Sequence, residues 1–63
     1  MPGQNAKQRV QKVFSQLSDA KTSLNQALNT VEKPENRQQI QNTLNAIENA
    51  INTTSTALSN YKD

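Results

Sequence analysis

The apolar residues of this chain recur every three or four positions along two stretches separated by Pro34. In the first stretch they are Val10, Val13, Leu17, Ala20, Leu24, Ala27 and Val31. In the second the same rhythm runs through Ile40, Leu44, Ile47, Ile51, Thr54, Leu58 and Tyr61. A mean step near ~3.5 residues keeps one face of a helix against a partner helix, whereas a strand would need a step of two. Proline pushes the residue before it off helical angles and itself fits the first turn of a new helix. The spacing therefore predicts helices over about 6–31 and 34–60, joined by a turn at Glu32-Lys33-Pro34. So short a connection makes the helices antiparallel neighbours. The expected fold class is all-α, an antiparallel two-helix hairpin.

Local signals agree with these bounds. Asn5 is a good N-cap, and Gln8 stands three residues on, where it can complete a capping box. Glu35 suits the positive end of the second helix dipole. Residues 1–5 read as a frayed arm and 6–63 as one hairpin domain. The stretch Asn52-Thr53-Thr54-Ser55-Thr56 has mediocre helix propensity and needs packing to stay helical. With the turn centred near residues 33–35, facing positions add up to about 68. Leu28 then meets Ile40, Leu24 meets Leu44, Leu17 meets Ile51 and Val10 meets Leu58, while Phe14 faces the small Thr54. The expected hairpin core is Val10, Val13, Leu17, Leu24, Val31, Ile40, Leu44, Ile47, Ile51, Thr54, Leu58 and Tyr61.

With 63 residues the chain hides little surface. A domain of this size buries only about 60% of what its unfolded chain exposes. The absence of cysteine and histidine removes disulfides and the usual structural zinc or haem sites as helpers. Oligomerisation remains. Phe14 and Leu28 on the first helix, and Ala50 and Ala57 on the second, lie beside the main stripes and read as the interface. Burying side chains such as Phe and Leu is worth roughly 1.5–3 kcal/mol each. Two hairpins are expected to dimerise into a four-helix bundle. The alternative is a monomeric hairpin with a few exposed apolar side chains.

The same composition argues against chemistry. No histidine or cysteine is available as general base or nucleophile, and no Glu-x-x-His element could build a carboxylate metal site. No catalytic, cofactor-binding or metal-ligating residue is expected, and no cofactor. Asp19 and Glu48 fall close together across the hairpin and read as a solvated face. The net charge of +2 is too weak to argue for a nucleic-acid partner. Lys7, Arg9, Lys12 and Lys21 make the first helix basic, but they do not share one face, so nucleic-acid binding is a minor alternative. No apolar run is long enough for a secretion signal or a membrane span. Asn52-Thr53-Thr54 matches the N-glycosylation pattern and, without such a signal, reads as chance. The expected location is cytoplasmic. The leading function is a non-enzymatic structural or interaction module that works by helix–helix packing with itself. A regulator gripping one other protein through Phe14 and Leu28 is the second reading.

Asn and Gln number 17 and Ser and Thr another 11, so the solvent faces are mostly neutral amides and hydroxyls. The run Val10 to Thr30, with Leu17, Ala20, Ser23-Leu24 and Ala27-Leu28, resembles the first helix of small Gln-rich helical proteins from spore-forming Gram-positive bacteria. The likeness covers about a third of the chain, and the Pro34 turn and the Thr-rich stretch depart from it. The resemblance implies a cytoplasmic or spore-associated helical protein and carries over no site residue.

Overall fold

A computed structural model describes residues 5–62. Two helices account for nearly all of them: α1, Ala6–Thr30, and α2, Pro34–Ser59. They pack against each other as a hairpin, and no strand occurs among the described residues. Apart from the cap at Asn5, the expected N-terminal arm lies outside the described residues.

Each helix end has a local cause. The Asn5 side chain accepts from the Gln8 backbone N–H at 2.9 Å, and the Gln8 side chain accepts from the Asn5 N–H at 3.2 Å. This reciprocal pair satisfies two of the donors that every helix start leaves open. At the far end Val31 turns extended (φ −70°, ψ 138°) while its N–H still reaches the Ala27 carbonyl. Lys33 is extended too (φ −85°, ψ 131°), as a residue before proline must be. Pro34 then opens α2 without forfeiting a hydrogen bond.

One side chain ties the turn together. The Arg37 guanidinium crosses back to α1 and donates to the Leu28 carbonyl at 3.1 Å and the Val31 carbonyl at 3.0 Å. The last carbonyls of a helix have no partner within it. Arg37 thus caps α1 from α2, and its charge sits at the negative end of the α1 dipole.

The half-buried large positions of α1 and its C-cap are Val10, Phe14, Leu17, Lys21, Leu24, Leu28 and Val31. Their steps alternate strictly between four and three. The matching line runs along α2 through Ile40, Leu44, Ile47, Ile51, Thr54 and Leu58 and on to Tyr61 just beyond its end, with the same alternation. The α1 line differs from the expected stripe. Val13 stands 46% exposed, and Phe14 and Leu28 turn into the seam in its place. The larger side chains remove more apolar area from water, and that area sets the helix rotation. Lys21 is tolerated in the line because its stem can lie along the seam while its ammonium reaches water. The Thr-rich stretch of α2 remains helical, with Thr54 and Leu58 half-buried against α1's open end.

The seam is thin. Leu44, at 5% exposure, is the one described residue that is buried. The radius of gyration is 14.9 Å, against about 10.6 Å for a compact domain of this length.

Candidate interaction surface

The hairpin has two flat sides, and one ion pair tells them apart. The Lys21 ammonium lies 3.4 Å from the Glu48 carboxylate. Both therefore flank the seam on the same side. At 3.6 residues per turn, Phe14, Lys21 and Leu28 form one line along α1, and Gln41, Glu48 and Ser55 form the corresponding line along α2. This first side is rimmed by polar and charged groups. An open groove of about 420 Å³ runs beside the ion pair, lined by Lys21, Asn45, Glu48, Asn49, Ile51 and Asn52. The amides of α2 also bond along their own helix, Gln38 to Asn42 at 2.9 Å and Gln41 to Asn45 at 3.1 Å.

The same periodicity sends the neighbouring lines to the opposite side. On α1 these are Val13, Ala20 and Ala27, and on α2 Thr43, Ala50 and Ala57. Ala20, Ala27 and Ala50 are half-buried, whereas Val13, Thr43 and Ala57 are exposed. The Thr43 hydroxyl is bonded back to the Gln39 carbonyl at 3.0 Å, so it offers mainly its methyl group. The second side carries no charged residue in either line.

The four residues read from sequence as one interface are thus divided. Phe14 and Leu28 belong to the first side and to the seam, while Ala50 and Ala57 belong to the second. Glu48 forms an ion pair with Lys21 at 3.4 Å, a contact the sequence reading did not name. Arg37 was missed altogether. Its signal was positional, a forked donor in the first turn after a three-residue link, and it takes the folded turn to show which carbonyls it reaches.

Among the described residues no group of three His, Cys, Asp or Glu side chains could hold a metal ion. No described helix is long and apolar enough to cross a membrane. What the arrangement offers is surface. The accessible area is 4889 Å² for 7.0 kDa, where a compact monomer of that mass exposes about 4,000 Å².

A family model described as "Type III secretion system, cytoplasmic E component of needle" matches residues 4–61. The match spans both helices and the turn. It overturns the resemblance to Gln-rich proteins of spore-forming bacteria, which rested on common helical residues of α1 alone. No curated protein and no solved structure is similar to the chain at a significant level.

Proposed function

The chain belongs to the family of cytoplasmic E components of the type III secretion needle, and from that premise we propose that it serves as a non-catalytic packing module of that apparatus. It acts on the cytoplasmic side, through helix–helix contacts, and covers its unfilled apolar surface by pairing with itself. The observation that carries this reading is the thinness of the core: one buried residue, Leu44, in two helices of 25 and 26 residues. Helical pairs of this kind usually gain their stability by burying more surface in a larger bundle.

Sedimentation equilibrium from micromolar to millimolar concentration tests the proposal. The expected mass at the upper end is twice 7.0 kDa, with far-ultraviolet circular dichroism reporting unchanged helix content. A single species of 7.0 kDa throughout, still helical, would refute self-association.

A further inference from the structure

We infer that a second copy of the chain docks on the side bearing Val13, Ala20, Ala27, Ala50 and Ala57, and that the two hairpins run antiparallel. This rests on the self-association proposed above and specifies its face and direction.

Three observations carry it. The first is the sidedness. Lys21 and Glu48, 3.4 Å apart, place a charged pair and a polar rim on one flat side. A partner covering that side would have to desolvate both charges or break the pair. The opposite side presents small side chains and Val13, which at 46% exposure is the one exposed large apolar side chain among the described residues. Small residues let a facing helix approach closely, and Val13 supplies a knob.

The second is area. The Cα extents are 49 × 20 × 12 Å, so each flat side measures about 49 by 20 Å. That is enough for the roughly 800 Å² per partner that a stable interface takes.

The third is charge. Residues 1–18 and 50–63, the half away from the turn, carry Lys7, Arg9, Lys12 and Lys62 against Asp63, a net +3. Residues 19–49, the half around the turn, carry four acids and three bases, a net −1. Two copies stacked in the same direction would lay one basic half on the other. Reversing one copy lays each basic half over the partner's turn half, which removes the repulsion and adds a weak attraction. A two-fold axis across the middle of the face generates this closed pair and exhausts the face, so no filament results.

The test is the dissociation constant of the full chain by sedimentation, at several salt concentrations. Val13→Gln and Ala57→Gln each put a longer polar side chain on the inferred face at exposed sites, and each change counts twice in a two-fold pair. Each is expected to weaken pairing about tenfold or more. Ser55→Gln, on the Lys21–Glu48 side, is expected to leave it within about twofold. Pairing of the unaltered chain should weaken as salt rises, because opposite charges are screened. If Val13→Gln and Ala57→Gln pair normally, the face is wrong although self-association stands. If pairing strengthens with salt, the basic halves lie together and the antiparallel direction is overturned. A chain that never pairs refutes this inference and the self-association reading at once.

Discussion

Replacing Arg37 with Met removes the cap on α1 and leaves the rest of the turn in place. Met has a helix propensity close to that of Arg and keeps an unbranched stem of similar reach. The change deletes the two bonds to the Leu28 and Val31 carbonyls, at 3.1 and 3.0 Å. Hydrogen bonds from a charged donor are worth about 1.5–3 kcal/mol when shielded, and less where water competes. Arg37 is exposed, as are both bonds, so about 0.5–1 kcal/mol for each is the reasonable range. Against this stands a small return. Arg37 lies in the first turns of α2, where a positive charge is unfavourable by about 0.3 kcal/mol. The net cost is about 1 kcal/mol, and for a chain of 63 residues that lowers the melting temperature by roughly 4–8 °C. The assay is a thermal melt followed at 222 nm, at matched protein concentration, because pairing itself raises the midpoint. Arg37→Lys keeps the charge and loses the fork, so it should recover less than half of the loss. If Arg37→Met melts within about 1 °C of the unaltered chain, the two bonds do no work in solution and the capping argument fails.

Asn5→Ala opens the capping box and should cost about 1 kcal/mol, read in the same melt. Leu44→Ala empties the one buried position among the described residues and should cost about 2–5 kcal/mol. Domains of this length hold only about 3–9 kcal/mol in total, so its helical signal at 37 °C should be largely lost or strongly dependent on protein concentration. Lys21→Ala should change stability by less than about 1 kcal/mol, because the ion pair with Glu48 is more than two-fifths exposed at both ends and solvent screens it; a double-mutant cycle with Glu48→Ala gives the pair's own contribution.

Much of the fold was legible because its signals are local. The Asn5-to-Gln8 spacing and the Lys33-Pro34 step set helix ends to within a residue or so. The rotation of α1 was harder. Val10, Leu17, Leu24 and Val31 belong to two lines at once, one completed by Val13, Ala20 and Ala27, the other by Phe14, Lys21 and Leu28. Spacing alone favours the first, since it holds no charge. Buried area favours the second, since Phe and Leu exceed Val and Ala and a lysine head can escape to water. The candidate surface inherited that ambiguity: an α1 turned by one line moves Phe14 and Leu28 from the outside to the seam and brings Val13 out. The family was illegible for a different reason. Heptads of Leu, Ala and Gln recur in unrelated helices, so a likeness confined to α1 carries little information.

The three-residue link between Thr30 and Pro34 also makes the molecule a zipper with a fixed end. In the register expected from the sequence, Leu28 with Ile40 near the turn would close a loop of about a dozen residues, and Val10 with Leu58 one of nearly fifty. The entropy cost of closure grows with the logarithm of loop length, so a hairpin held by one seam closes from its turn and parts from its tips. The tips carry Lys7, Arg9 and Lys12 on one strand of the zipper and Lys62 on the other, and their mutual repulsion adds to the parting. Amides around Phe14 and Thr54 should therefore exchange with solvent sooner than those around Leu28 and Ile40.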